Sequence, residues 1–454
     1  MKILPGPLLC LALLVASPSV TARQQERESH VVLISIDGLA AYHLENPTLV
    51  LPHIRQMIAE GVWAKGVKTV FPSVTHPSHT TMITGVAPRV HGVIGNRMTD
   101  RRTGKTFHIT NKLRSESIKV GTVFDAAKAK GLVTAAFFWP ETQGDPSIDF
   151  NIPEVFGSNG LARMDAAEFS FMARFPRIGI PIDLYFRWYG TEHLRGAADI
   201  ILAQSAASVL EKERPHLLAI HLLSTDVMQH HYGPDHYLSQ TAITTADFCV
   251  GLLLDAARSA RIADRTTFLV TADHGFHAVR YDLNLAPLFQ ELGGRVKLHS
   301  QAWTLFVELG PTFEPQRDRP LLERILRKAL EIEGVARVVR PDEFHQLGYP
   351  TYQENAHVPG QYMILGDIDT HLKAGPPETA LKRAPKKHPY FGHGYLPGHP
   401  RMEAAFVAFG HRIRRGRRIG VIEEVSIAPT ISELLGIETV GSRSNVLKEA
   451  LDDF

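Results

Sequence analysis

Apolar residues along this chain gather into short unbroken runs, separated by stretches with helical spacing. VVLISIDGL (31–39) is almost wholly β-branched and apolar and ends in Asp-Gly, the pattern of a strand buried on both faces. LPHIRQMIAEGV follows with helical spacing, and Gly61 marks its stop. TVFDAAKAKGLVTAAFFWP repeats the order of helix, glycine and strand. A helix over 197–212 precedes the buried strand HLLAIHLLSTD, and a helix over 237–260 leads into TTFLVTADHG. Late in the chain, AAFVAFG and a helix around SIAPTISELLG return to the core. The alternation predicts an α/β fold: a doubly wound, mostly parallel sheet with helices on both faces.

Two segments break this rhythm within an expected single catalytic domain over 27–445. The first, 151–195, contains FSFMARFPRIGIPIDLYFRWYG and no clean period. It reads either as an insertion over the site or as a loop packed on the body. Phe171, Tyr185 and Trp188 would accordingly stack on a base or fill the core. The second, 310–389, reads as a smaller α+β excursion.

Composition narrows the picture. Lys and Arg total 49 against 47 for Asp and Glu, so charge gives no case for a long nucleic-acid partner. Residues 1–22 have Lys2, an apolar run over 3–15 and a Val20-Thr21-Ala22 end, and they read as a cleavable signal peptide. A periplasmic or secreted location follows as an expectation. Cleavage leaves Cys249 alone, so no internal disulfide is expected. No later apolar run reaches the roughly 18 residues of a transmembrane helix. Oligomeric state is left open.

The chemistry concentrates at strand ends. Asp37, Asp226 and Asp273 each close a predicted strand, the edge at which open parallel sheets bind ligands. His230 lies four residues after Asp226, within one helical turn, and His274 follows Asp273 directly. Together these offer the mixed oxygen and nitrogen donors of a zinc-like site. The stretch FPSVTHPSHTTMITG (71–85) adds hydroxyls and two imidazoles, with Pro77 suited to the first turn of a helix that begins just after Thr75. Ser73 and Ser78 read as capping residues, and His76 and His79 as structural, solvated or substrate-contacting. RIRRGRR (412–418) reads as a solvated turn.

ISIDG, the Thr75 stretch, HGVIGN, STDVMQHHYGP, TADHG and FGHGYLPG resemble, in order and approximate spacing, the alkaline phosphatase superfamily. More narrowly they resemble its nucleotide pyrophosphatase/phosphodiesterase branch, over about 31–436. The resemblance implies two zinc ions, one held by Asp226, His230 and His393. The other would be held by Asp37, Asp273, His274 and the oxygen of Thr75, the implied nucleophile. Asn96 falls at the position that contacts a phosphoryl oxygen. His231 competes with His230, and His388 and His399 compete with His393. Carboxylate and imidazole donors also admit other divalent metals.

A neutral Asn96, with no arginine in the hydroxyl stretch, favours a small phosphodiester or nucleotide pyrophosphate substrate over a monoester dianion; an arginine from a distant segment would overturn that preference. The expected function is therefore a two-zinc phosphodiesterase or nucleotide pyrophosphatase working through a phosphothreonine. One alternative is a hydrolase of carbon–phosphorus bonds similar to phosphonoacetate hydrolase. Another is a non-catalytic envelope protein that binds metal or phosphate. Sulfatase chemistry is disfavoured, because no cysteine lies near Thr75. FFWPE borders the expected pocket without giving Glu141 a role.

Overall fold

A computed structural model describes residues 29–155, 164–189, 194–377 and 379–452, so the expected signal peptide lies outside the described residues. Eight strands form the central sheet: β1 (His30–Ile36), β2 (Val62–Lys68), β3 (Thr134–Phe137), β4 (Phe150–Ile152), β5 (Leu217–Leu222), β6 (Thr266–Thr271), β7 (Phe406–Gly410) and β8 (Arg417–Glu423). Their spatial order is β8-β2-β7-β6-β1-β5-β3-β4. All neighbours are parallel except β7, which runs against both β2 and β6.

Every residue of β1 is buried, which requires cover on both faces and explains its unbroken apolar sequence. Two helix groups supply that cover. Helices Arg195–Glu213 and Tyr237–Ser259 pack on each other, with Pro52–Glu60 against the second. Helices Thr75–Thr84, Val123–Ala129 and Ile427–Leu435 form the other group. One apolar cluster runs through the sheet and both groups.

Register sets the position of the site. Ile36 on β1 pairs with Leu222 on β5, and Ser35 pairs with Thr271 on β6. Three neighbouring strands therefore end level, and the residues that follow them emerge at one edge. Gly38, at φ 68°, makes the turn after β1. A Cβ there would meet the Phe276 ring at 3.1 Å and Gln229 Nε2 at 3.2 Å, so both backbone conformation and space call for glycine.

Within 151–195, the described helices Ala166–Met172 and Ile182–Tyr189 pack on the body. The Phe171 ring lies 6.1 Å from Phe137, and Tyr185 lies 4.8 Å from Phe138. Trp188 also packs against the main cluster. These three aromatics fill the core and are not poised to stack on a base.

A second module carries its own small core. Its antiparallel sheet joins Val296–Gln301, Thr304–Leu309, Tyr362–Gly366 and Val335–Val339, with helix Pro315–Leu330 alongside. A three-stranded sheet of Thr370–Lys373, His277–Asn284 and Arg383–Gly392 links it to the body. Gly392 pairs with His277, which brings the next residue, His393, back beside the loop after β6. In the basic run, Arg418 stacks on Trp63 at 4.3 Å and pairs with Glu45 on the surface.

Buried Asp247 crosses between elements to cap helix Pro52–Glu60. It accepts Ile54 N–H at 2.7 Å and His53 N–H at 3.2 Å, two donors left open at a helix start. Asp247→Ala is expected to cost about 1–3 kcal/mol in urea unfolding. An unchanged midpoint would show that the cap contributes nothing.

Candidate active site

The site is assembled from the level strand ends. Asp37 follows β1, and its N–H donates to Leu222 O at 2.9 Å. Gly38 N–H donates to Asp273 Oδ1 at 3.0 Å, while Gln229 Nε2 donates to Gly38 O at 2.9 Å. One turn thus ties together the loops after all three strands.

The predicted aspartates and histidines gather in two groups. In the first, Asp226 sits in the opening turn of helix Ser224–Tyr232, with His230 one turn further on. Asp226 Oδ1 is 3.3 Å from His230 Nε2 and 3.4 Å from His393 Nε2. In the second, His274 Nε2 is 3.3 Å from Asp37 Oδ1 and 3.2 Å from Asp273 Oδ2. Bonds of 2.0–2.1 Å in tetrahedral geometry put neighbouring ligand atoms roughly 3.3 Å apart. Both groups match that edge length. The His274 and His393 rings stack between them, centroids 3.4 Å apart.

The unused ring nitrogens are also arranged for ligation. His230 Nδ1 donates to Phe391 O at 2.7 Å, His274 Nδ1 to Gly275 O at 3.1 Å and His393 Nδ1 to Ser73 O at 3.2 Å. A carbonyl can only accept, so each bond leaves Nε2 as the lone-pair nitrogen. His231 points elsewhere: it is exposed, and its Nδ1 meets Val227 O. Neither His388 nor His399 joins a metal-competent group among the described residues.

Electrostatics show what the site lacks. Burial, then the charges of Asp273 and Asp226, push the Asp37 carboxyl well up. Burial raises Asp226 to about 6 despite the opposing effect of His230. Burial and neighbouring imidazoles hold His274 and His393 well below the usual histidine range. Neutral imidazoles beside carboxylates that resist crowding form a donor set suited to a divalent cation, whose charge would reverse the penalty on the carboxylates.

Thr75 is the first residue of helix Thr75–Thr84, so the helix begins one residue earlier than the sequence reading put it. Most hydroxyls around it are already engaged. Ser73 donates to Tyr395 O, and Thr80, Thr81 and Thr84 donate to carbonyls one turn back. Thr75 Oγ1 instead faces Asn96 Nδ2 at 3.5 Å. Asn96 is held by His76 N–H, which donates to its Oδ1 at 3.1 Å. Asn96, His230 and His393 line a cavity of about 510 Å³, together with Phe306, Tyr349 and Tyr390. Arg97, an exposed residue, also lines it. A larger cleft of about 720 Å³ lies elsewhere and has no histidine in its lining.

Behind Thr75 lie polar residues to which the sequence reading gave no catalytic part. His76 Nδ1 meets Glu141 at 2.5 Å, and Thr80 Oγ1 lies 3.0 Å from the same carboxylate. Burial opposes protonation of His76, but the Glu141 and Glu154 charges outweigh it and raise the imidazole to about 9. His221 is buried within β5, and His79 packs against it with ring centroids 4.0 Å apart. Only the placement of a histidine inside the wholly apolar run LLAIHLL could have signalled His221.

The sequence pattern of the type I phosphodiesterase / nucleotide pyrophosphatase family matches residues 31–395. Human ectonucleotide pyrophosphatase/phosphodiesterase family member 1 is 23% identical over 428 residues, covering 92% of this chain and 42% of that protein. Venom phosphodiesterase 2 of Crotalus adamanteus is 24% identical over 257 residues, covering 56% of this chain and 28% of its own. The chain thus spans less than half the length of these relatives. Among solved structures, murine ectonucleotide pyrophosphatase/phosphodiesterase 5, an inactive threonine-to-alanine variant in complex with AMP, aligns with TM-score 0.64 at 17% identity. That alignment covers 94% of this chain and all of the murine one. Fold and family together define a member of the alkaline phosphatase superfamily. Within it, the chain belongs to the type I phosphodiesterase / nucleotide pyrophosphatase family. Among the described residues, no helix is long and apolar enough to cross a membrane.

Burial pushes the Glu154 carboxyl from 4.5 up to about 8, with His76 opposing the rise and Glu141 and Asp273 adding to it. The folded chain keeps a proton that the unfolded chain releases, so this group's contribution to stability declines as pH rises between the two values. Glu154→Gln is expected to flatten the fall in Tm from pH 5 to pH 8. An identical slope in the variant would contradict the assignment.

Proposed function

We propose that this chain hydrolyses phosphodiester or pyrophosphate bonds of nucleotides at a two-metal centre, with Thr75 as nucleophile. The observation that carries the reading is the pair of carboxylate–imidazole groups with tetrahedral edge lengths, next to a hydroxyl at a helix start. Asp226, His230 and His393 would hold one ion; Asp37, Asp273, His274 and Thr75 Oγ1 would hold the other. Zinc suits these donors, although other divalent ions share the preference. When bound, the ions supply Lewis acidity that favours the threonine alkoxide and offsets phosphoryl charge.

The chain's own groups do the rest. Thr75 Oγ1 gives up its proton and forms a bond to phosphorus as the bond from phosphorus to the leaving oxygen breaks, and the leaving oxygen takes up a proton from water. The dipole at the start of helix Thr75–Thr84 favours the phosphoryl oxygens, and Asn96 Nδ2 donates to one of them. Water then attacks phosphorus of the phosphothreonine, releasing a nucleoside monophosphate and restoring the hydroxyl. The AMP complex of the murine structure supports a nucleotide product. Cleavage of residues 1–22 would place the enzyme in the periplasm or outside the cell.

Arg97 refines the substrate. An arginine in the cavity wall beside Asn96 offers a partner to a second anionic group, which a pyrophosphate carries and a simple diester lacks. Arg97→Ala is expected to raise KM for ATP by about tenfold or more while sparing p-nitrophenyl thymidine 5′-monophosphate. Equal effects on both substrates would remove Arg97 from this role.

The principal test compares p-nitrophenyl thymidine 5′-monophosphate with p-nitrophenyl phosphate on zinc-loaded protein. Preference for the diester is expected, with a loss of about 1,000-fold or more in Thr75→Ala. Preference for the monoester, or an active Thr75→Ala enzyme, would overturn the proposal.

A further inference from the structure

Behind Thr75, one carboxylate grips the helix that Thr75 begins. Glu141 Oε1 accepts from His76 Nδ1 at 2.5 Å, and Glu141 Oε2 lies 3.0 Å from Thr80 Oγ1. His76 follows Thr75 directly, and Thr80 stands one turn further along the same helix. The Glu141 side chain has no solvent exposure, and that of His76 only 2%. From His76 the contacts continue toward the reacting groups. Its N–H donates to Asn96 Oδ1 at 3.1 Å, and Asn96 Nδ2 faces Thr75 Oγ1 at 3.5 Å.

The backbone that delivers Glu141 leaves β3 in a conformation that side chains rarely adopt. Phe138 and Glu141 both lie in the left-handed region, at φ 54° and 55°, although neither is glycine. Such conformations persist only where neighbouring structure holds them, and they gather at functional sites. Here the hold is explicit. Phe138 N–H donates to Ile152 O at 2.6 Å, Thr142 Oγ1 to Trp139 O at 2.8 Å and Asn151 Nδ2 to Thr142 O at 2.6 Å. Stability alone does not account for the Glu141–His76 pair, because apolar residues of similar volume often replace a buried ion pair without loss.

We propose that Glu141 is a positioning residue for phosphoryl transfer. Acting through His76, its carboxylate holds the first helical turn and Asn96 in register, so that Thr75 Oγ1 and Asn96 Nδ2 converge on one phosphoryl group. A misplacement of about 1 Å at reacting atoms can cost roughly 100-fold in rate, which gives such a grip its effect. The inference rests on the reading of Thr75 as nucleophile. It adds a residue that touches neither substrate nor metal.

The test is a kinetic cycle on zinc-loaded full chain with p-nitrophenyl thymidine 5′-monophosphate, crossing Glu141→Gln and Glu141→Ala with Asn96→Ala. Glu141→Ala is expected to lower kcat about 100-fold and Glu141→Gln about tenfold, because a neutral amide accepts a weaker hydrogen bond. KM should stay within about twofold in both, since misalignment acts on the transition state. In the Asn96→Ala background each loss should shrink to about threefold or less, the mark of action through Asn96. Losses of equal size in both backgrounds would overturn the role, as would an unchanged kcat in Glu141→Gln or a loss carried by KM. Glu141→Gln preserves side-chain volume, so this arm decides the matter even if Glu141→Ala fails to fold. Turnover that is absent from the unmodified chain, or that survives Thr75→Ala, would overturn the nucleophile reading and this inference with it.

Discussion

The constraint on which this structure turns is the crowding of Asp37, Asp226 and Asp273 at one edge of the central sheet. Donor atoms of Asp37 and Asp273 sit within 4.8 Å of each other. Two like charges at that distance repel by about 3 kcal/mol even at an effective dielectric constant near 20. Burial adds to the cost, as the raised carboxyl of Asp37 shows. Nearby imidazoles do not relieve it, because burial and mutual repulsion keep His274 and His393 neutral. A sequence that tolerates this arrangement is one in which positive charge arrives from outside the chain.

Much of the remaining architecture fixes this cluster in place. Level strand ends bring the aspartates together, and the turn at Gly38 ties their loops by two hydrogen bonds. Main-chain carbonyls orient each imidazole, so ligand direction is determined by the backbone rather than by flexible side-chain partners. The second module contributes in two ways. The strand Arg383–Gly392, which links it to the body, returns His393 to the site, and Phe306 from its own sheet lines the cavity.

The sequence revealed those features that depend on local order. Acidic residues closing apolar runs pointed to the candidate site edge, and the spacing of four preferred His230 over His231; in the structure His230 lies 3.3 Å from Asp226 while His231 turns to Val227 O. Non-local relations were harder to see. His393 reaches Asp226 only because a strand far along the chain pairs with His277, and nothing in its own neighbourhood sets it apart from His388 or His399. The aromatic stretch over 151–195 left two readings open, because burial against Phe137 and Phe138 is a tertiary fact. Arg97 stood beside Asn96 in the sequence, but its place in the cavity wall depends on elements from distant segments.

If external cations balance the buried carboxylates, removing them must weaken the fold itself and not only turnover. The most direct measurement is therefore the Tm of purified full chain after chelation, followed by stepwise return of zinc. Ligand bound only by the native state at a thousandfold excess over Kd contributes about 4 kcal/mol. The account predicts a clear drop in Tm on chelation and recovery with zinc, with recovery blunted in Asp226→Asn. A Tm indifferent to chelator and zinc would mean that the carboxylates hold no cation, and the account would fail.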